Sequence, residues 1–198
     1  MTSPSAANSR PHSFYAGLLL LLTLWMAVPG IDSIPVIDRD EARYAQASVQ
    51  MVESGDYLNI EFQDRARNKK PAGIYWMQAA PVKAFTGKGD REIWAHRLPS
   101  LLAAVLAVLA TYWGGSAVMG RRAAFIGAGI LATSALFVFE AHIAKTDAML
   151  CAMAAIVMAS LLRQRQTPKP AQAIIFWAAM GVGIMVKGPI IPVLGLLT

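Results

Sequence analysis

Apolar stretches close to the roughly 20 residues that a helix needs to cross a bilayer recur along this chain, and they constrain its fold more than any other feature. Short polar clusters separate them. The composition agrees, since 56% of the 198 residues are hydrophobic and only 15% are charged, against about 25% charged residues in ordinary soluble domains. We therefore predict an all-α integral membrane protein with about five spans. The predicted spans lie near residues 14–29, 98–118, 123–139, 148–162 and 173–186.

The first apolar stretch has an alternative interpretation as a cleavable signal peptide, because Arg10 precedes an apolar core. The residues from Met26 to Gly30 that follow this core make a poor small-x-small cleavage site, and four further stretches come after it. A retained first helix is therefore favoured. We treat residues 1–198 as a single membrane domain with a long outer loop at residues 31–97.

Basic residues in the short loops predict the orientation of the chain. The loop between the second and third stretches contains Arg121 and Arg122. The loop between the fourth and fifth contains Arg163, Arg165 and Lys169. Short basic loops favour the cytoplasm, whereas loops longer than about 60 residues escape this rule. We expect a multi-pass protein of the cell's inner (plasma) membrane, with a cytoplasmic amino terminus and its long loop on the extracytoplasmic face.

Acidic residues are confined to the predicted outer side. Of the 12 Asp and Glu residues, two lie in the turn between the third and fourth stretches, Glu140 and Asp147. Such segregation is unusual for a structural protein, although a large solvated loop can also produce it by chance. The other ten, in the long loop, are Asp32, Asp38, Asp40, Glu41, Glu53, Asp56, Glu61, Asp64, Asp90 and Glu92.

Net charge and cysteine content bear on two other classes of function. The formal net charge of +6 does not indicate nucleic-acid binding, because the basic residues are scattered and no stacking aromatics accompany them. The single cysteine, Cys151, can form neither an intrachain disulfide nor a Cys-based metal site. We therefore expect a membrane environment and no nucleic-acid partner.

A helix is predicted over residues 40–54 of the outer loop, since acids open this run and Gly55 closes it. Its apolar residues recur at helical spacing, so we expect the helix to lie along the membrane surface. The first turn would hold Asp38, Asp40 and Glu41 together. Capping of the helix is the alternative role of these acids.

Three further charged positions stand out. Lys70 closes a basic cluster directly before Pro71, where it suits an anionic phosphate, or else extends its amine to lipid head groups. Asp147 begins an apolar helix, either as a cap or as an ionisable group held at the membrane boundary for function. Lys187 has apolar residues on both sides and is harder to explain as solvated. The predicted topology brings Asp40, Lys70, Asp147 and Lys187 to one membrane face, which favours a functional site.

The order of short motifs resembles the amino-terminal part of the polyprenyl-phosphate-dependent glycosyltransferases, which include protein O-mannosyltransferases and the aminoarabinose transferase of lipid A. The resemblance covers nearly the whole chain after residue 35. Each motif is weak alone, but the series is fairly specific. The motifs are Asp-Glu-Ala-Arg-Tyr-Ala at 40–45, Lys-Lys-Pro-Ala-Gly-Ile-Tyr-Trp at 69–76, Arg-Leu-Pro-Ser at 97–100, Ala-Lys-Thr-Asp-Ala-Met-Leu at 144–150 and Val-Lys-Gly-Pro at 186–189.

This resemblance implies a GT-C fold, in which a bundle of membrane helices and outer interfacial helices surround a cavity for a lipid-linked sugar. It implies that Asp40 is the general base on the acceptor hydroxyl and Asp147 a second catalytic acid. The donor would be a polyprenyl-phosphate-linked sugar and the acceptor a lipid or a protein. The implied substrate-binding residues are Glu41, Arg43, Tyr44, Lys70 and Lys187.

The sequence departs from the family pattern in two respects. Members carry an acid directly before the lysine–proline pair, where this sequence has Lys69, so a role for that acid in holding a divalent cation is in doubt. A divalent cation therefore stays a possible cofactor with unknown ligands. Members also have more spans, so the resemblance implies that this sequence is part of a longer protein.

Two other functions remain open at this point. A transporter or channel subunit would line a permeation path with acids and lysines near the middle of the membrane, and the first four stretches carry almost none. A membrane scaffold without chemistry is the third possibility. We expect a glycosyltransferase that inverts the configuration of the sugar it moves.

Overall fold

The computed structural model describes residues 11–67, 69–86 and 92–197. Arg10 and Asp90, two charged residues noted above, lie outside these ranges. In chain order the helices are α1 (His12–Ala27), α2 (Arg39–Ser54), α3 (Gly73–Phe85), α4 (Ile93–Val118), α5 (Gly120–Thr133), α6 (Ala135–Ala141), α7 (Asp147–Gln166), α8 (Pro170–Lys187) and α9 (Ile190–Leu196).

One small hairpin interrupts the helical pattern. The strands β1 (Glu61–Phe62) and β2 (Arg65–Ala66) pair antiparallel, with Glu61 opposite Ala66 and Phe62 opposite Arg65. The turn between them includes Gln63 at a φ of 57°, in the left-handed region that few residues other than glycine adopt. The prediction of an all-α fold is confirmed apart from these four residues.

Three helices, α4, α7 and α8, are long and apolar enough to cross a membrane. Helices α5 and α6 together pass the same test but bend by 63°, because Ser134 between them adopts an extended conformation with a ψ of 125°. Helix α1 has 16 residues and is shorter than these spans, since Pro29 and Gly30, which has a φ of 92°, follow its end. The expected multi-spanning helix bundle is confirmed, with up to four spans by helix length in the described part of the chain.

Helix α4 packs against α7 through small side chains. Gly114 of α4 lies so close to α7 that a Cβ atom built on it would stand 2.7 Å from the Cα atom of Ala159. Buried alanines continue this contact on both helices, among them Ala107 and Ala152. Small residues let membrane helices approach closely, and dispersion contacts between the backbones then hold them together.

The outer helices α2 and α3 form a second layer with its own core. Their buried residues include Tyr44 and Met51 of α2 and Ile74 and Val82 of α3. Helix α2 begins after its cap Asp38 and ends at Gly55, whose φ of 74° suits a glycine C-cap. The helices expected in the first loop are therefore present, and the apolar face of α2 is buried largely against α3. Their position at the outer membrane surface stays a prediction.

The close approach of α4 and α7 predicts different outcomes for two glycine substitutions. Gly114→Ala should destabilise the protein by about 1–3 kcal/mol relative to Gly127→Ala, because its added methyl group overlaps the α7 backbone. A Cβ atom at Gly127 meets nothing within 4 Å. Both changes gain the same helix propensity, which cancels in the comparison. Thermal unfolding in detergent measures the difference, and equal melting temperatures would contradict the packing described here.

Candidate functional site

Glu41 and Arg97 form a buried ion pair beneath the outer layer. Both side chains are 0% exposed, and Nε of Arg97 donates to Oε1 of Glu41 at 2.8 Å. Nη2 of Arg97 donates to Oε2 of Glu41 at 3.2 Å. Nη1 donates to the carbonyl oxygens of Ile31 at 2.9 Å and Ile34 at 2.8 Å. The pair therefore joins α2, α4 and the segment that leads into α2.

The turn before α7 is held at three consecutive residues. The N–H of Ala144 donates to Oε1 of Glu41 at 2.9 Å, and its carbonyl oxygen accepts from Nε2 of Gln78 at 2.9 Å. The carbonyl of Ile143 accepts from Oγ of Ser100 at 2.7 Å. Nε2 of His142 lies 2.8 Å from the carbonyl oxygen of Pro29. These bonds fix the position from which Lys145 and Asp147 project.

Lys145 lies among three carboxylates. Its Nζ atom is 3.1 Å from Asp38, 3.7 Å from Glu140 and 4.0 Å from Asp147. Burial alone would lower the pKa of Lys145, but the hydrogen bond from Lys145 to Asp38 and the charges of Glu140 and Asp147 outweigh it and raise that pKa. Asp147 also pairs with Lys187 at the end of α8. Two of the four predicted positions, Asp147 and Lys187, are thus in direct contact.

Asp40 lies on the open side of this cluster. Its side chain is 55% exposed and has one ion pair in the part of the chain described here, at 3.6 Å from Arg43. Tyr44 lies on the same helix, one turn further along. Burial is the largest of the effects that together raise the pKa of the Tyr44 hydroxyl to about 12. Tyr75 and the negative charges of Asp40 and Asp147 also raise this pKa, and Arg67 opposes them.

Lys70 and Arg67 supply positive charge in the segment before α3. Lys70 is half-buried and forms no ion pair with any residue of the described ranges. Arg67 donates from Nε to the Tyr75 hydroxyl at 2.8 Å and lies 5.5 Å from the centre of the Tyr44 ring. Both cations precede the start of α3, whose first turn has no side-chain cap.

The start of α3 is packed tightly against the end of α8. A Cβ atom on Gly73 would stand 2.5 Å from the carbonyl oxygen of Met185, so only glycine permits this approach. Gly73 is three residues from Lys70, and Met185 is two from Lys187. The segments that carry these two lysines are therefore neighbours.

The structure gives different surroundings to the residues that the sequence singled out. Lys145 connects Asp147 to Asp38 at the start of the helix that carries Asp40 and Tyr44, and Lys187 contacts Asp147. Arg43 is 36% exposed and pairs with Asp40. Glu41 was expected to bind substrate, but its carboxylate is fully buried and both oxygens are bonded to protein groups. This burial gives Glu41 a structural role and does not favour a substrate contact.

Sequence reasoning missed several residues that build the site. Lys145 adjoins Asp147 within one motif, yet nothing in the motif indicates that it would contact three acids. A weak signal existed for Arg97, which is a charged residue near the start of an apolar helix and therefore needs a buried partner. Gln78 gave no signal, because its two hydrogen bonds depend on the packing of α3 against α2 and against the turn before α7.

The possible divalent cation stays a prediction. Among residues 11–67, 69–86 and 92–197, no three His, Cys, Asp or Glu side chains are grouped so that they could hold a metal ion. Lys145 lies between Asp38 and Glu140, and Lys187 is paired with Asp147, so lysine side chains neutralise these acids. We therefore assign no step of the chemistry to a metal.

Asp38 offers a test of the charge network through its pH dependence. Burial raises the pKa of Asp38, but hydrogen bonds from Asp40 and Lys145 outweigh it, so the folded-state pKa lies below the usual value. The ion pair with Lys145 therefore contributes stability above the ordinary carboxylate pKa of about 4, and the contribution is lost as the pH falls through the folded-state pKa.

We expect Asp38→Asn to lower the free energy of unfolding by about 0.2–1 kcal/mol near neutral pH. Asparagine caps a helix as well as aspartate does, so the substitution isolates the ion pair. The loss should vanish in acid, where wild-type Asp38 is also neutral. Thermal unfolding at neutral pH and in acid measures this loss of stability. The control is Glu53→Gln, which changes an exposed acid of the same helix. An equal loss at both pH values would exclude the pair as its cause.

Similar proteins agree with this architecture. An undecaprenyl phosphate-alpha-4-amino-4-deoxy-L-arabinose arabinosyl transferase of Aeromonas salmonicida is 32% identical over 177 residues, which are 86% of this chain and 31% of that protein. A protein of the same name from Yersinia pestis is 27% identical over 178 residues, 87% of this chain and 31% of that protein. The chain thus spans about a third of the length of these curated relatives.

Two crystal structures of ArnT from Cupriavidus metallidurans share the fold. The apo structure matches with a TM-score of 0.76 at 24% identity, over 90% of this chain and 33% of that one. The structure bound to undecaprenyl phosphate matches with a TM-score of 0.78 at 23% identity, over 91% and 33%. These matches confirm the predicted GT-C fold.

A family model identifies the chain more directly. Residues 69–197 match the family described as dolichyl-phosphate-mannose-protein mannosyltransferase. The matched segment includes the start of α3, the charged turn before α7 and Lys187, which are parts of the site described above. Because the match covers more than half of the sequence, the chain belongs to the dolichyl-phosphate-mannose-protein mannosyltransferase family.

Proposed function

We propose that the protein is an inverting membrane glycosyltransferase that moves a sugar from a polyprenyl-phosphate carrier to an acceptor hydroxyl or phosphate. The observation that carries this proposal is that Lys145 joins Asp147 to Asp38, the cap of the helix whose first turn carries Asp40. Arg67 lies over the ring of Tyr44, which is on the same helix. The relatives named as arabinosyl transferases of an undecaprenyl phosphate sugar support the same class of reaction.

Asp40 is the proposed general base. Its carboxylate is more than half exposed and has a single, loose ion pair among the described residues, so an acceptor can reach it. Asp147, by contrast, is paired with Lys187 and lies beside Lys145. We assign to Asp147 the role of second acid, which positions Lys187 and sets the charge of the cavity.

The start of α3 is the proposed phosphate site. Helix amino termini present free N–H groups to anions, and the first turn of α3 has no side chain to satisfy them. Lys70 and Arg67 add two positive charges that no carboxylate in the described ranges neutralises within ion-pair distance. Fixed cations stabilise the leaving phosphate most when its charge is greatest.

The proposed reaction is a single displacement. The acceptor oxygen forms a bond to the anomeric carbon while the bond from that carbon to the carrier phosphate breaks. The phosphate takes the bonding electron pair beside Lys70, and the proton of the acceptor hydroxyl passes to Asp40. Attack from the face opposite the phosphate inverts the configuration at that carbon.

An apolar groove suits the isoprenoid chain of the carrier. It has a volume of about 710 Å³ and is lined by Leu, Met, Pro, Phe and Val side chains from α1, α3, α4, α7 and α8. Helix α3 contributes Met77, Pro81 and Phe85, which follow its amino terminus along the helix. A phosphate bound at the start of α3 would therefore have its hydrocarbon tail directed along the same helix.

The active face is proposed to be extracytoplasmic, in the inner membrane, with the amino terminus in the cytoplasm. The short basic loops support this orientation. The acceptor is proposed to be lipid A, another glycolipid or a protein, and the sugar's identity stays open. The transporter alternative is not favoured, because charged residues of the described spans lie near helix ends, as Arg97, Asp147 and Lys187 do.

The proposal predicts large losses of transfer for two substitutions. Asp40→Asn should lower transfer by about 100-fold or more, since the general base is lost. Lys70→Ala should lower it by about 100-fold, since the leaving phosphate loses a fixed cation. The measurement is transfer of radiolabelled sugar from a polyprenyl-phosphate donor in membranes that contain the full-length protein.

Each substitution has a matched control. Asp64→Asn and Lys69→Ala remove the same charges from exposed positions nearby and should leave transfer within about twofold of wild type, as expected of surface changes. Expression and melting temperature are compared for all variants. Unchanged transfer in both Asp40→Asn and Lys70→Ala would contradict the assignment of the site.

A further inference from the structure

A second polar cluster lies at the end of the bundle opposite Asp147. Helix α1 begins there at His12, where α4 ends and α5 begins, and the hydrogen bonds of His12 connect all three. The last turns of α7 reach the same place, since Arg163 bonds to residues of α4. Helices α4 and α7 separate this cluster from the site described above.

Neutral groups position the cations of this cluster. Nε of Arg121 donates to Nε2 of His12 at 3.1 Å, so the ring carries its proton on Nδ1 and donates it to the Tyr112 hydroxyl at 3.0 Å. Arg163 donates from Nε to the carbonyl of Trp113 at 2.9 Å and from Nη2 to the Ser116 hydroxyl at 3.0 Å. These bonds help to hold the two guanidinium groups in place.

Acidic residues are absent from the sequence that forms this end. Residues 1–31, 93–139 and 148–198 contain no Asp or Glu at all, whereas Arg121, Arg122 and Arg163 all lie in the last two of these ranges. These ranges therefore offer no carboxylate side chain to balance the positive charges of Arg122 and Arg163. An anion from outside the chain is the group that would balance them.

Two adjoining cavities give such an anion room. One, of about 800 Å³, is lined by His12, Ser116, Arg121 and Arg122, among others. The second, of about 470 Å³, shares His12 and Ser116 and adds Arg163. A phosphate at their junction would meet guanidinium groups from α5 and α7.

The second cavity also has an apolar side. Ala16 of α1 and Leu109 of α4 line it, together with the rings of Tyr112 and Trp113. Tyr and Trp favour the boundary between hydrocarbon and water, and the junction of α1 with α4 continues from here into the bundle. A ligand with a charged phosphate and a hydrocarbon chain fits both sides of this cavity.

We infer that these cavities bind the phosphate of an anionic glycerophospholipid, with one acyl chain along the junction of α1 and α4. Arg163 and Arg121 bind the phosphate oxygens, and Arg122, which is exposed, contacts the rest of the head group. This site is separate from the glycosyl transfer proposed above and lies at the other face of the membrane.

The test measures binding of phosphatidylglycerol and phosphatidylcholine of equal chain length to the full-length protein in neutral detergent, by native mass spectrometry. Phosphatidylglycerol should bind more tightly, and Arg163→Gln should weaken its binding about tenfold, as expected for the loss of a charge-assisted hydrogen bond. Arg165→Gln, an exposed arginine of the same helix outside both cavities, should leave binding unchanged.

A second variant and a second probe complete the test. Arg122→Gln, at an exposed position, should also weaken phosphatidylglycerol binding. This variant replaces Arg163→Gln in the test if Arg163→Gln lowers the melting temperature. Glycerol phosphate without acyl chains should bind at least tenfold more weakly than the lipid. Equal binding of the two lipids, equal effects of Arg163→Gln and Arg165→Gln, or equal binding of glycerol phosphate would each overturn the inference. Asp40→Asn should leave lipid binding intact, which distinguishes this site from the proposed transferase site.

Discussion

The buried ion pair of Glu41 and Arg97 is the interaction on which the rest of the site depends. Glu41 lies on α2 and Arg97 on α4. Arg97 also bonds to carbonyls of the segment before α2, and Glu41 to the N–H of Ala144 in the turn before α7, so the pair connects all four parts. Breaking such a pair by removing one partner typically costs about 3–5 kcal/mol, since an uncompensated charge stays buried. A hydrophobic pair of equal volume could match its stability but could not bond the N–H of Ala144.

Two consequences follow from this connection. The layer of α2 and α3 is fixed relative to the bundle, because Glu41 of α2 bonds to Ala144, which lies 103 residues further along the chain. The same turn fixes the position of Lys145. The ammonium group of Lys145 pairs with Asp38, Glu140 and Asp147 and so allows these three like charges to lie close together. The packing of α4 against α7 involves small side chains such as Gly114, whereas the pair of Asp147 and Lys187 joins α7 to the end of α8.

Local patterns in the sequence were sufficient for some of these features. The ends of α2 follow from a cap and a glycine, and the grouping of charged motifs on one face follows from apolar segment lengths and loop charges. The burial of Glu41 did not follow, because three acids share the first turn of α2 and only the position of Arg97 on α4 selects one of them. The break at Ser134 had no proline or glycine to indicate it. Both features depend on packing between segments far apart in the sequence, which periodicity does not report.

The most direct test of this account measures the distance between α2 and α8–α9 with spin labels. Labels on Arg39→Cys and Ile190→Cys, both exposed, in a Cys151→Ala background, should give one narrow distance distribution by pulsed electron paramagnetic resonance. Arg97→Met should broaden or shift this distribution, because the outer layer is released when the buried pair is broken. Arg65→Met, which removes an exposed arginine of the outer segment, should leave it unchanged. A distribution that stays equally narrow in Arg97→Met would contradict the central role given to the Glu41–Arg97 pair.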